Sequence, residues 1–108
     1  MNVASQDIII HKTTKSRISQ LDPSNIQFGK VYSDHMLVAV YENGSWQRAE
    51  IKPYENLSLS PATTFMHYGQ AIFEGVKAYK DPAGNPIIFR PQDNWKRFNR
   101  SAERMAMP

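Results

Sequence analysis

The stretch that decides the fold spans residues 76–108 and reads VKAYKDPAGNPIIFRPQDNWKRFNRSAERMAMP. Its first part predicts a β-hairpin, because apolar runs at 76–79 and 86–89 flank a loop with proline and glycine in turn-type positions. Pro91 then opens a predicted helix that runs to about Met107, since proline is favoured at the first helical position. This helix carries an apolar stripe formed by Trp95, Phe98, Ala102 and Met105.

Another β-hairpin is predicted upstream. Residues 36–41 form a nearly continuous apolar run of strand type, and Asn43-Gly44 follows, a pair suited to the positive φ angles of a tight turn. Residues 46–51 then alternate between two faces, as a return strand does. Pro53 ends this strand.

Between the two hairpins, residues 62–72 suit a helix of about three turns. Ser60 is a natural N-cap, and Pro61 stands where a missing N–H costs nothing. Gly69 inside this predicted helix is an anomaly, because glycine weakens a helix by about 1 kcal/mol relative to alanine. Gly75 then ends the element or allows close backbone approach.

The order hairpin, helix, hairpin, helix indicates an α+β domain built on antiparallel pairs. We assign this domain to residues 25–108 and an N-terminal extension to residues 1–24. The extension closes with a turn signal at residues 21–24. Within it, residues 8–10 suit either an edge strand or a frayed terminus.

Composition excludes several classes of function. The 108 residues carry 13 basic and 10 acidic side chains, and this net charge of +3 is typical of proteins that bind no nucleic acid. The absence of cysteine rules out disulfides and thiolate metal sites, and no zinc-type histidine spacing is present, so we predict no metal site. We find neither a signal peptide nor an apolar run of membrane-spanning length, and we expect a soluble, cytoplasmic protein without membrane contact.

Two groups of residues are candidates for chemistry. Residues 66–75 place aromatic side chains beside glycines, which can line an apolar pocket, although aromatic side chains more often form a packed core. Arg97 could grip a phosphate with its rigid fork, or it could cover the helix surface and leave its head in water. Sequence spacing does not separate Arg97 from Arg100 or Arg104.

Several strings, in register, resemble the opening part of the fold-type IV (class IV) pyridoxal-phosphate-dependent aminotransferases. Two of them are HYGQAIFEGVKAYK at residues 67–80 and IIFRPQDNWKRFNRSAERMAMP at residues 87–108. Within that class, FGKVYSDHML at residues 28–37 and IKPYENLSLSP at residues 51–61 are similar to stretches of the branched-chain amino acid aminotransferases. The D-amino acid transaminases and aminodeoxychorismate lyases usually lack the former stretch. The resemblance covers about residues 21–108.

The resemblance implies a fold and a set of site residues. The fold is the small N-terminal domain of this class, in which antiparallel β-hairpins pack with two helices. Arg97, in the N-W-K-R-F context, matches the arginine that holds the phosphate of pyridoxal 5'-phosphate. Tyr68, Phe73 and Phe28 match aromatic residues that line the substrate pocket, and Gly75 would leave space near the bound substrate. Apolar walls suit leucine, isoleucine and valine, because selection among them rests on burying methyl groups.

The implied reaction transfers the amino group of a branched-chain amino acid to 2-oxoglutarate, in amino-acid metabolism such as branched-chain amino acid biosynthesis, and relatives are homodimers. No lysine of this sequence matches the Schiff-base lysine of the family, which is expected beyond Pro108. We therefore assign no catalytic residue and expect the 108 residues alone to be inactive. The alternative is a truncated or decayed, non-catalytic module of the same fold that acts as a binding or interaction domain.

Overall fold

The computed structural model describes residues 8–108, which form two compact units, residues 8–58 and residues 59–108. The strands and helices are, in chain order, β1 (Ile9–Ile10), a 3-10 helix (Ile18–Gln20), β2 (His35–Val38), β3 (Tyr41–Glu42), β4 (Ser45–Trp46), β5 (Glu50–Pro53), α1 (Thr64–Tyr68), β6 (Ala78–Lys80), β7 (Pro86–Ile88) and α2 (Pro91–Arg104). Short strands, mostly in antiparallel pairs, together with two α-helices confirm the α+β class. The predicted boundary between an extension and a domain after residue 24 stays a prediction.

A three-stranded sheet with the order β1-β5-β2 organises the first unit. Strands β2 and β5 pair antiparallel, with a register that runs from His35 opposite Pro53 to Val38 opposite Glu50. Strand β1 pairs with β5 in parallel. Of the two alternatives for residues 8–10, the structure therefore has the edge strand, over Ile9–Ile10.

The hairpin predicted around Asn43-Gly44 is confirmed. Both residues have positive φ angles, 53° and 80°, which match the right-handed twist of the flanking strands. Strands β3 and β4 pair beside the turn, and the rings of Tyr41 and Trp46 meet edge to face at 5.3 Å. The strands are shorter than predicted, because residues between the two ladders leave regular pairing. The N–H of Gln47 still donates to the carbonyl of Val40 at 2.7 Å.

Asp34 fastens an earlier stretch of the chain to the sheet. Its carboxylate accepts hydrogen bonds from the Ser16 hydroxyl at 2.5 Å and from the Arg17 backbone N–H at 3.0 Å. These bonds hold the pKa of Asp34 below its usual range, with the Ser16 hydroxyl as the largest cause. Next to it, Nε2 of His35 accepts the backbone N–H of Thr13 at 2.9 Å.

The first helix of the second unit is shorter than the predicted 62–72. Helix α1 covers Thr64–Tyr68 only, and Gly69 follows as its C-cap with a left-handed backbone, φ 62°. A residue with this φ cannot continue a right-handed helix, and glycine adopts it without steric cost. The prediction was wrong because it placed Gly69 in the helix interior, where glycine is only a mild perturbation, and not at the end.

The remaining elements follow the sequence closely. Strands β6 and β7 form the predicted second hairpin, and the carboxylate of Asp81 accepts the backbone N–H of Asn85 across the loop at 2.8 Å. Helix α2 begins at Pro91, as predicted, and ends at Arg104, before the expected Met107. Ala106 has a positive φ of 52°, which turns the chain out of the helix.

Neither unit encloses a core of its own within residues 8–108, because none of these residues is buried. The apolar stripe of α2 remains accessible, with Trp95 65% exposed and Phe98 41% exposed. Apolar surface left in water contributes nothing to the free energy of folding. Among residues 8–108, none of the helices has the length and apolar character that a membrane crossing requires.

Candidate functional site

Arg97 lies in the first half of α2, and its guanidinium grips the carboxylate of Glu74. Nε donates to Oε2 at 2.7 Å, and Nη2 donates to Oε1. The two bonds leave from one edge of the planar group, which is the bidentate arrangement that arginine forms with carboxylates. The contact joins positions 23 residues apart and so ties the helix to the segment before β6.

Asn94 makes a second connection between the same two segments. Its Nδ2 donates to Oε1 of Glu74 at 3.1 Å and to the carbonyl oxygen of Gly75 at 3.0 Å. Asn94 and Arg97 stand three residues apart, and residues at this spacing share one face of a helix. One face of α2 therefore holds Glu74 from two positions, and the Glu74 side chain is only 14% exposed.

The ion pair changes the proton affinity of both partners. The hydrogen bonds from Arg97 hold the pKa of Glu74 below its ordinary value, and the bond from Asn94 adds to this effect. The carboxylate of Glu74 in turn raises the pKa of Arg97. Both groups are therefore charged at neutral pH.

A cavity of about 360 Å³ lies along the same helix. Its walls are formed by Ala71, Ile72, Arg97, Arg100, Ser101, Arg104 and Met105. Among residues 8–108, Arg100 and Arg104 take part in no ion pair, whereas Arg97 has Glu74. A cavity lined by three guanidinium groups and small apolar patches is suited to an anion. No three acidic or histidine side chains of the described chain lie close enough together to hold a metal ion.

The structure thus distinguishes Arg97 from Arg100 and Arg104, which sequence spacing could not do. All three arginines line one cavity, and Arg97 alone among them is oriented by a carboxylate. Its side chain is 56% exposed, and its guanidinium is bound to Glu74. The alternative of a surface arginine whose head lies only in water therefore holds for part of the side chain. The role of Arg97 as a phosphate ligand stays a prediction.

The predicted pocket aromatics are exposed. Tyr68, the last residue of α1, is 80% exposed, and Phe73 is 91% exposed. Neither is among the residues that line the cavity beside Arg97. At these exposures they do not form the packed core that composition allowed, and their place in a substrate pocket stays a prediction. Phe28, in the first unit, is fully exposed as well.

Gly75 is open to substitution by steric criteria. A Cβ built on it would meet no atom within 4 Å, and its backbone has no positive φ. Its carbonyl oxygen is the acceptor for Asn94. Space is therefore present at Gly75, as at the other four glycines, and its role beside a substrate stays a prediction.

Glu74 and Asn94 are the site residues that sequence analysis missed. Asn94 carried a readable signal, since it stands one helical turn before Arg97 and shares its face. Glu74 carried none, because a carboxylate between Phe73 and Gly75 has no local partner in the sequence. Its partner lies 23 residues further along the chain, and only the folded second unit brings the two together.

Comparisons with known proteins identify relatives of the chain. No model of a protein family matches it. It is 50% identical over 88 residues to branched-chain-amino-acid transaminase 1 of Bacillus subtilis, a match that covers 81% of this chain. It is 46% identical over 99 residues to the cytosolic branched-chain-amino-acid aminotransferase of Saccharomyces cerevisiae, which covers 89% of the chain. The cytosolic enzyme of Rattus norvegicus is 39% identical over 105 residues, 96% of the chain.

The matched region is a limited part of each relative. It amounts to 25% of the Bacillus protein, 26% of the yeast protein and 25% of the rat protein. The chain therefore spans about a quarter of the length of the curated relatives it matches. The resemblance seen in the motifs is confirmed by identities of 39–50% over most of this short sequence. The chain is similar to an N-terminal portion of the branched-chain-amino-acid aminotransferases.

Proposed function

We propose that these residues supply the phosphate-binding arginine and part of the substrate pocket of a pyridoxal-phosphate-dependent branched-chain-amino-acid transaminase. The reaction would move the amino group of leucine, isoleucine or valine to 2-oxoglutarate. The observation that carries the proposal is the orientation of Arg97 beside a cavity that two further arginines line. The names of the relatives supply the class of reaction.

The donors around the cavity fit the anionic end of the cofactor. Arg97 uses Nε and one Nη2 hydrogen on Glu74, which leaves three of the five guanidinium hydrogens for another acceptor. Guanidinium groups stay charged at any physiological pH and match phosphate oxygens with a pair of parallel bonds. Arg97 would therefore hold the phosphate, and Arg100 and Arg104 would add positive charge along the same wall.

The exposed aromatic residues support the second part of the proposal, the substrate pocket. Tyr68 and Phe73 in the second unit and Phe28 in the first present largely exposed aromatic rings. Burial of methyl groups against such rings would favour branched side chains, by about 0.8 kcal/mol for each CH₂ removed from water. Gly75, in the second unit, would leave space near the bound substrate. The cofactor, when bound, supplies the electron sink for the transfer.

Three further expectations belong to the same proposal. The active protein would be a homodimer, because the resemblance implies a pocket near a subunit boundary. It would act in the cytoplasm, because the yeast and rat relatives are named as cytosolic enzymes. The 108 residues alone would be inactive, since none of their lysines matches the Schiff-base lysine that the family requires.

The test compares cofactor binding with and without the phosphate. The complete open reading frame that contains these residues is expressed, and its apoprotein is titrated with pyridoxal 5'-phosphate and with pyridoxal by absorbance. Arg97→Lys is expected to weaken pyridoxal 5'-phosphate binding about tenfold or more, because a point charge replaces a fork, while pyridoxal binding stays nearly constant. Formation of glutamate from leucine and 2-oxoglutarate measures the activity itself.

Arg90→Lys is the matched control. Arg90 precedes the same helix and forms an ion pair with Asp93 at 2.5 Å, but it does not line the cavity. It should leave the affinities for both forms of the cofactor unchanged. Two outcomes would favour the non-catalytic module. One is that Arg97→Lys leaves the ratio of the affinities for pyridoxal 5'-phosphate and pyridoxal unchanged. The other is that the unaltered protein neither binds the cofactor nor turns over substrate.

A further inference from the structure

The guanidinium of Arg97 has one occupied edge and one free edge. The occupied edge consists of Nε and Nη2, which both donate to Glu74. The free edge consists of Nη1 and the second hydrogen of Nη2, and in residues 8–108 neither group meets an acceptor. A planar guanidinium can hold two bidentate partners at once, one on each edge. Occupation of the first edge therefore decides where the second edge points.

Glu74 is itself held firmly enough to act as such a reference point. Its Oε1 accepts from both Arg97 and Asn94, and its side chain is 14% exposed. The backbone next to it is held by the bond from Asn94 to the carbonyl of Gly75. Glu74 is thus connected to two positions of α2, and rotation of the Arg97 side chain would break two charge-assisted bonds.

We propose that Glu74 is a positioning residue, which holds the Nε edge of Arg97 so that the Nη1 edge faces a phosphate monoester in the neighbouring cavity. The inference rests on the proposed function and adds to it a residue that acts through Arg97. Arg97 loses less rotamer freedom when an anion binds, because its long side chain is already fixed.

The negative charge of Glu74 also opposes the binding of an anion. A carboxylate on one edge of the guanidinium repels a dianion on the other edge. Arg100 and Arg104, which have no ion-pair partner within residues 8–108, lie in the same wall and compensate for this repulsion, so the cavity keeps a positive balance. A phosphate monoester, with two negative charges and three oxygens, uses this balance better than a carboxylate does. Orientation and total charge thus make separate contributions, and Glu74 supplies the orientation.

The first experiment removes the charge of Glu74 and keeps its shape. In the complete open reading frame, Glu74→Gln should weaken pyridoxal 5'-phosphate binding by roughly three- to tenfold, because the amide nitrogen cannot accept from the guanidinium. Binding of pyridoxal, which lacks the phosphate, should change by less than about twofold. Glu55→Gln is the control, since Glu55 forms an ion pair with Lys52 at 2.5 Å in the other unit. It should change neither affinity.

The second experiment asks whether Glu74 acts through Arg97. In a double-mutant cycle, Glu74→Gln should have little further effect on pyridoxal 5'-phosphate affinity once Arg97→Lys is present. Glu74→Asp keeps the charge on a side chain one methylene shorter, and its affinity should lie between those of the unaltered protein and Glu74→Gln. This variant also keeps the test valid if Glu74→Gln does not fold.

The outcomes separate this inference from the proposed function. If Arg97→Lys leaves the ratio of the two affinities unchanged, the phosphate role of Arg97 and the positioning role of Glu74 both fail. If Arg97→Lys lowers the ratio and Glu74→Gln does not, the positioning role alone is overturned. Equal losses for both ligands would make Glu74 a structural residue, and tighter binding of pyridoxal 5'-phosphate would make it a competitor of the phosphate.

Discussion

Glu74 and Asp34 perform the same task in the two units, because each carboxylate collects donors from a segment far along the chain. Asp34 receives Ser16 and Arg17, and Glu74 receives Asn94 and Arg97. In both cases the donors stabilise the ionised form, so the pKa of each carboxyl lies below its ordinary value. Ionised carboxylates replace apolar contacts as the means by which these segments are held.

The lowered pKa of Glu74 predicts how the helix attachment depends on pH. A carboxyl whose pKa falls on folding adds stability that is fully present above its ordinary value of 4.5 and is lost as the pH falls through the lower value of the folded state. The difference in free energy of unfolding between the unaltered protein and Glu74→Gln should therefore be constant near neutral pH and shrink in acid. Urea unfolding of the complete open reading frame at a series of pH values measures it. A difference that does not change with pH would contradict the assigned ionisation.

The site was predictable only at the level of single residues. Arg97 was found from its N-W-K-R-F context, which belongs to a recognised family pattern. The bidentate hydrogen bond from Arg97 to Glu74 was not predicted, because a contact across 23 positions depends on how the second hairpin and α2 fold back on each other. The exposure of Tyr68 and Phe73 was not foreseen either, since aromatic composition indicates burial and says nothing about what is available to cover the ring.

At the scale of elements, the turn residues were the most reliable guides. Asn43-Gly44 located the first hairpin and Pro91 located the start of α2, because each residue type fixes a backbone angle locally. The end of α1 was not predicted, because a glycine in a helical stretch can either lie in the helix interior or end the helix. Gly69 with φ 62° is a terminator, and its sequence context alone does not distinguish this from an interior glycine.

Substitution by alanine at two glycines of the second unit, Gly69 and Gly75, should change the free energy of unfolding by different amounts. Gly69→Ala should destabilise the protein by roughly 1–2 kcal/mol, because alanine is strained in a left-handed conformation. Gly75→Ala should change the free energy of unfolding by less than about 0.5 kcal/mol, since a Cβ there meets nothing within 4 Å and φ is not positive. Chemical denaturation of both variants, made in the complete open reading frame, provides the comparison. Equal losses for the two would contradict the assigned backbone role of Gly69.

At the scale of the whole molecule, the dominant fact is the absence of burial. None of residues 8–108 is buried, although the sequence is 41% hydrophobic. The chain also matches only about a quarter of the length of its relatives. Burial of apolar surface is the main favourable contribution to folding, so the elements described here gain little of it from one another.

The 108-residue polypeptide, expressed by itself, should consequently behave differently from a closed domain. We expect it to bind the dye ANS strongly and to unfold without a sharp transition, because apolar surface is accessible in both units. It should also form no glutamate from leucine and 2-oxoglutarate when pyridoxal 5'-phosphate is added. Weak dye binding together with cooperative thermal unfolding would show that the polypeptide buries a core after all.

The two units also differ in a way that optical spectroscopy can use. The sequence has two tryptophans, and Trp46 lies in the first unit while Trp95 lies in the second. Each indole therefore reports on its own unit, Trp46 against the ring of Tyr41 and Trp95 from the accessible face of α2. With Trp46→Phe and Trp95→Phe, the emission of the remaining indole would follow the two units one at a time. A blue shift of Trp95 would report the removal of water from the accessible face of α2.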